Sequence, residues 1–121
     1  MTKPQVPADI EARGLGGARV LVVDDADAAR RATARMLEAV GADVREASGG
    51  AAAIEAVNRD TFDVVLCDIV MPVIDGIQVL RTIRDLDLDT SVVLYTGAPG
   101  FSSAVDALRL GAVDYLCQPT S

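Results

Sequence analysis

The residues of this chain best suited to chemistry are carboxylates that directly follow apolar runs. Asp24 and Asp25 follow Val20-Leu21-Val22-Val23, and Asp68 follows Val64-Val65-Leu66-Cys67. Thr96 ends a third run, Ser91 to Tyr95. Three carboxylates at close quarters repel and do not all ionise unaided. A hard divalent cation resolves that conflict, and oxygen-only ligands with room for water suit Mg2+ better than zinc or copper. A lone Asp after a strand is commonly a helix cap, so the weight rests on Asp24, Asp25 and Asp68 taken together with Thr96. Asp27 and Asp75, each just ahead of a helical pattern, read as caps.

Composition narrows the chemistry further. The chain has 121 residues, a formal net charge of −7, a single lysine (Lys3) and no histidine. No His-based triad, His metal ligand or phosphohistidine donor can be built from it. The acidic balance disfavours direct nucleic-acid binding or an anionic membrane surface. No run of about 18 apolar residues exists to span a membrane, and the first residues lack the apolar stretch of a secretory signal. Cys67 and Cys117, without a CxxC spacing, form neither a zinc site nor a disulfide framework. A cytoplasmic protein with reduced thiols is the expected setting.

The elements that must position these carboxylates follow from periodicity. Residues 1–17 read as an N-terminal tail, with one helical turn allowed at Asp9 to Arg13, and residues 18–121 as the folded domain. Short, continuously apolar, β-branched runs are expected for strands covered on both faces. They occur at 20–23, within Phe62 to Cys67, and at Ser91 to Tyr95. Asp43 to Ala47 alternates weakly, as an edge strand does, and Ala112 to Cys117 is the last strand. Between them lie helical patterns. Asp27 to Val40 carries Ala29, Ala32, Met36, Leu37 and Val40 at spacings of three and four. Gly49 to Arg59 places Ile54 and Val57 on one face. Ile77, Leu80 and Ile83 mark a third helix ending near Leu86, and Phe101 to Leu110 a fourth. Asp85, Asp87 and Asp89 form a solvated loop.

Strands that alternate with helices predict an α/β fold with a parallel sheet and right-handed crossovers. Ligands of such sheets bind outside the carboxyl ends of the strands, where strand order reverses. Chain-distant Asp24, Asp25, Asp68 and Thr96 are therefore expected at one rim.

From Arg19 to Pro119 the chain resembles the receiver domain of bacterial two-component response regulators. The resemblance rests on Asp24-Asp25 and on Asp68-Ile69-Val70-Met71-Pro72 followed by Asp75-Gly76. It continues with Thr96-Gly97 and with Gly111-Ala112-Val113-Asp114-Tyr115-Leu116 running into Pro119. It implies a flavodoxin-like, doubly wound, five-stranded parallel sheet of order 2-1-3-4-5. It also implies that Asp68 accepts a phosphoryl group from a histidine kinase or phosphotransfer protein. Asp24, Asp25, Asp68 and the backbone carbonyl of Val70 would hold Mg2+, Asp24 partly through water. Thr96 would contact the phosphoryl group, Gly97 would leave the approach open, and Tyr115 would be the switch aromatic. The domain would be a signalling module that catalyses at most its own phosphoryl transfer and dephosphorylation. Phosphoryl transfer asks mainly for positioning and charge neutralisation, which fits these residue types.

Two departures stand out. The family has a lysine just before the proline that follows the fifth strand, and here that residue is Gln118. Glutamine donates a hydrogen bond but brings no charge, and charge-assisted bonds are about twice as strong. Two readings follow: phosphorylation with weaker coupling to the switch, or a degenerate receiver used for docking or dimerisation. The second departure is length. The family's fifth helix is expected to be missing, as in a C-terminally truncated receiver, which leaves an apolar face for a partner or a second copy. A looser similarity of Gly97-Ala98-Pro99, Ser103-Ala104-Val105 and Gly111-Ala112 points to receivers that precede cyclic-di-GMP phosphodiesterase output domains.

Other readings fit less well. A haloacid-dehalogenase phosphatase would use Asp25-Ala26-Asp27, but needs a later lysine and a different continuation. A flavodoxin needs a hydroxyl- and glycine-rich phosphate loop where Asp24-Asp25 would repel phosphate. With the strand order implied above, one strand separates Cys67 from Cys117. Roughly 9.6 Å then lies between their backbones, beyond the about 7 Å that a disulfide spans. Val70 and Ala98 offer no group to position an attacking water, so slow hydrolysis of the phosphoryl group is expected.

Overall fold

The computed structural model describes residues 17–86, 88–96 and 114–117, the last four and Thr96 by their backbone. The five strands are β1 (Arg19–Val23), β2 (Asp43–Ala47), β3 (Val64–Asp68), β4 (Ser91–Thr96) and β5 (Asp114–Cys117). The helices are α1 (Asp27–Ala39), α2 (Gly50–Arg59) and α3 (Gly76–Asp85). All four strand pairs are parallel and the order is β2-β1-β3-β4-β5. This is the order the resemblance implied, with its reversal between β1 and β3.

Because side chains alternate across a strand, the central strands supply both faces of the sheet. Leu21 and Val23 of β1, Val65 and Cys67 of β3, and Val92 and Leu94 of β4 pack with Ala53 and Val57 of α2 and with Val79, Leu80 and Ile83 of α3. Val20, Val22, Val64 and Val93 point the other way, toward Ala18, Ala42 and the half-buried Leu37 of α1. β2 alternates only weakly in burial, as an edge strand does. Helices on opposite faces of one parallel sheet make the fold doubly wound, as expected. The region expected to form the Phe101 to Leu110 helix, the one-turn helix at Asp9 to Arg13 and everything after Cys117 lie outside the described residues.

The structure corrects the face of α1. Its buried residues are Arg30 and Ala34, with Thr33 and Leu37 half-buried. Met36 is 71% exposed and Val40 58%. The helix is turned so that Arg30, outside the expected apolar stripe, lies inward. Burial of its charge is tolerable because three acceptors meet it. Nη1 donates to the Asp24 carbonyl (3.1 Å) and to Asp27 Oδ1 (2.7 Å), and Nε donates to Glu46 Oε1 (3.0 Å).

Asp27 is also reassigned. The N-cap of α1 is Ala26, and no side chain caps the helix. The Asp24 carboxylate takes the Ala26 N–H (2.9 Å), which leaves Asp27 in the first turn to pair with Arg30. Asp75 does cap α3. Its Oδ1 accepts the Gln78 N–H (2.9 Å) while Gln78 Oε1 accepts the Asp75 N–H (2.8 Å), a complete capping box.

Cys67 is a buried free thiol. Cys67 lies opposite Leu94, and Cys117 opposite Thr96, so β4 separates the two backbones as expected. Burial, followed by the charges of Asp68, Asp24 and Asp75, pushes the Cys67 thiol far up. It is an inert core residue.

Candidate functional site

Two strands end at the same rim and carry the acidic residues there. β1 and β3 run in register from Val20 opposite Val64 to Val23 opposite Cys67. The residues that follow, Asp24-Asp25 and Asp68, therefore emerge together at the switch point. Asp24, Asp25 and Asp68 each bring one carboxylate oxygen within 4.8 Å of the others. Their environments differ: Asp24 is buried, Asp68 half-buried and Asp25 exposed.

Asp24 is the fixed member. One oxygen accepts the Ala26 N–H, and the other accepts the Tyr95 hydroxyl at 2.7 Å. Its backbone N–H donates to the Ala47 carbonyl (3.1 Å), which ties the rim to β2.

Asp68 sits at the end of β3, opposite Tyr95 of β4. Its Oδ1 accepts the Val70 N–H at 3.1 Å. Desolvation is the main reason its carboxyl is raised to about 6. The Val70 and Ile69 N–H groups oppose the rise, and the charges of Asp24 and Asp25 add to it. A carboxylate held above its ordinary range by burial and by neighbours of like charge is stabilised by any cation that joins them. The donor set is hard oxygen only, with at least one member open to solvent, so the residues present fit Mg2+ or a similar ion.

The loop after β3 holds this geometry with backbone contacts. Ile69 N–H donates to the Tyr95 carbonyl (2.9 Å), and Gly76 N–H returns to the Ile69 carbonyl (2.8 Å). Gly76 has no room for a side chain: a Cβ there would lie 2.5 Å from the Asp68 carbonyl oxygen and 2.8 Å from Ile69 Cα. Val73, in the same loop, has a φ of 67°, which strains a β-branched residue. Val70 is 62% exposed and Val73 96% exposed, so both apolar side chains flank the rim in solvent.

Of the residues expected from sequence, the structure brings Asp24, Asp25 and Asp68 together. It places Val70 beside Asp68. It sets Thr96 at the same end of β4, next in sequence to Tyr95, and Tyr115 in β5 opposite Leu94. Gly97, Ala98 and Gln118 lie outside the described residues. Sequence reasoning missed two residues. The first is Arg30, which reaches the backbone carbonyl of Asp24 from α1. Its charge is held by Asp27 and Glu46, so it does not replace the absent lysine. Tyr95 is the second. Its signal was a polar-tipped residue ending the aliphatic run Val92-Val93-Leu94, next to Thr96.

Residues 20–121 match the family model described as response regulator receiver domain. The chain is 38% identical over 100 residues to the transcriptional regulatory protein ZraR of Escherichia coli K12, covering 83% of this chain and 23% of ZraR. The chain therefore spans under a quarter of that relative's length. The signal receiver domain of the response regulator NarL from Mycobacterium tuberculosis superposes with a TM-score of 0.78 at 33% identity, over 88% of this chain and 87% of that one. A Burkholderia pseudomallei response regulator, solved with a phosphorylated aspartic acid and a calcium ion, superposes with a TM-score of 0.79 at 28% identity, over 86% of this chain and 61% of that one. With the sheet order, the rim of carboxylates and the capped loop after β3, these likenesses identify the chain as a member of the response regulator receiver domain family.

Proposed function

We propose that Asp68 accepts a phosphoryl group from the phosphohistidine of a histidine kinase or phosphotransfer protein, and that residues 18–121 form the receiver that does so. The observation that carries this reading is the convergence of Asp24, Asp25 and Asp68 within 4.8 Å at the switch point, with Asp68 half-buried and open to attack on phosphorus. The phosphorylated aspartic acid and calcium ion in the Burkholderia relative support the same pairing of acceptor and hard cation.

Asp24, Asp25, Asp68 and the Val70 carbonyl would hold Mg2+, which when bound neutralises charge on the transferring group. The chain's own residues do the positioning. The Val70 N–H orients Asp68 Oδ1, Asp24 is fixed from two sides, and the capping box anchors the loop that follows β3. Thr96, Gly97 and Tyr115 would contact the phosphoryl group, keep its approach open and carry the switch to a downstream output. The setting is cytoplasmic, as for a partner of a kinase's phosphohistidine.

Gln118 favours a second reading. With no lysine at that position, the domain would serve as a docking or dimerisation module that works without phosphorylation. Phosphoryl uptake on Asp68 separates the two, and the Mg2+ response tests the metal site that uptake depends on. A functioning acceptor site is expected to raise the melting temperature on adding Mg2+, and Asp68→Asn is expected to remove most of that rise. An identical response in Asp68→Asn would contradict the proposed site.

A further inference from the structure

Tyr95 plays no part in the site as read from sequence, yet its hydroxyl is 2.7 Å from Asp24 Oδ2 in a buried setting. A second, longer approach of 3.4 Å leads to the Val23 carbonyl. The two acceptors are adjacent, Val23 ending β1 and Asp24 opening the acidic pair. Tyr95 is 6% exposed and Asp24 3% exposed, so water does not compete freely for either group. A buried carboxylate without a donor is strongly disfavoured. Asp24 has donors on both oxygens, one from Ala26 N–H and one from Tyr95. The Ala26 bond is local to the β1–α1 turn. The Tyr95 bond crosses from β4 past β3, and it ties the metal-binding rim to the strand that ends at Thr96.

We propose that Tyr95 is a positioning residue that holds the Asp24 carboxylate before the cation arrives and competes with the cation for it. This inference rests on the reading of the acidic rim as an Mg2+ site. The hydroxyl stands in for part of the missing positive charge, so the metal-free domain tolerates its buried Asp24. Mg2+ binding must then weaken or share that bond. Tyr95 thereby lowers both the affinity for Mg2+ and the dependence of the fold on it.

The test is the Tyr95→Phe variant, which keeps the ring and removes only the hydroxyl. Hydrogen bonds to charged groups contribute about 1.5–3 kcal/mol, and each tenfold in affinity is about 1.4 kcal/mol. Relief of part of that deficit by the ion is expected to tighten Mg2+ half-saturation by about 3- to 10-fold. Stability in EDTA is expected to fall, and saturating Mg2+ to restore much of it. An equal loss with and without Mg2+, or Mg2+ affinity unchanged or weakened, would overturn the proposal.

Asp24→Asn supplies the control. The Tyr95→Phe loss in EDTA is expected to shrink in that background, whereas additive losses would overturn the proposal. If wild-type protein shows no Mg2+ response, the metal reading fails by itself, and this metal-free coupling alone decides whether Tyr95 positions Asp24. Should Tyr95→Phe not fold, a readout independent of it remains. In a Tyr115→Phe background Tyr95 is the single tyrosine, and its absorption band is expected to shift on adding Mg2+. An unchanged band would overturn the proposal.

Discussion

At the scale of single residues, chemistry follows from the environment each carboxylate meets. Asp68 is the group whose protonation the fold changes most usefully, from an ordinary 3.8 to about 6. A carboxyl whose folded value is raised binds protons more readily when folded than when unfolded. Its contribution to stability is therefore present below the unfolded value and is lost as pH rises through the folded value. Metal-free protein is expected to lose stability as pH climbs from about 4 to about 6, and urea midpoints across that window will show it. Asp68→Asn is expected to flatten that slope, and a slope unchanged in the variant would assign it elsewhere. Val73 offers a second residue-scale outcome. Its side chain is exposed and its φ is positive, so it contributes strain without packing. Val73→Gly relieves that strain but frees the unfolded chain. A net gain of roughly 1 kcal/mol is expected in chemical denaturation.

Elements place these residues, and the caps and packing faces decide how firmly. The α3 capping box closes the loop that carries Val70 and Gly76 back beneath Asp68. Asp75→Ala is expected to lower stability by about 1 kcal/mol, with a weaker Mg2+ response because the loop loosens. A response equal to wild type would separate the cap from the site. The strand runs and the Asp75 cap were legible in sequence because local signals decide them. A continuous Val/Leu run needs cover on both faces, and Asp ahead of Gly76 and Gln78 has one good use. The face of α1 was not legible. The expected Ala29, Ala32, Met36, Leu37, Val40 stripe and the inward Arg30, Thr33, Ala34, Leu37 stripe are adjacent, share Leu37 and compete. The choice rests on acceptors from three places: the Asp24 carbonyl, Asp27 and Glu46. Asp27 went astray for the same reason, since Asp24 had already closed the turn before the helix. Tyr95 was read as a core residue because nothing local reveals that its hydroxyl lands on a carboxylate 71 positions away.

At the scale of the whole molecule, the parallel order β2-β1-β3-β4-β5 turns scattered aspartates into one rim. The crossovers put α2 and α3 on one face and α1 on the other, and reversal between β1 and β3 opens the crevice where those strands end. The fold and the acidic triad were readable from sequence because alternation, strand-end carboxylates and the family resemblance all point to the same rim. The most direct measurement of the central claim is intact mass after incubation with phosphoramidate or acetyl phosphate and Mg2+. The expected result is one added phosphoryl group on the wild-type chain, absent without Mg2+ and absent in Asp68→Asn. No added mass on protein that demonstrably binds Mg2+, or equal addition to Asp68→Asn, would contradict Asp68 as the acceptor.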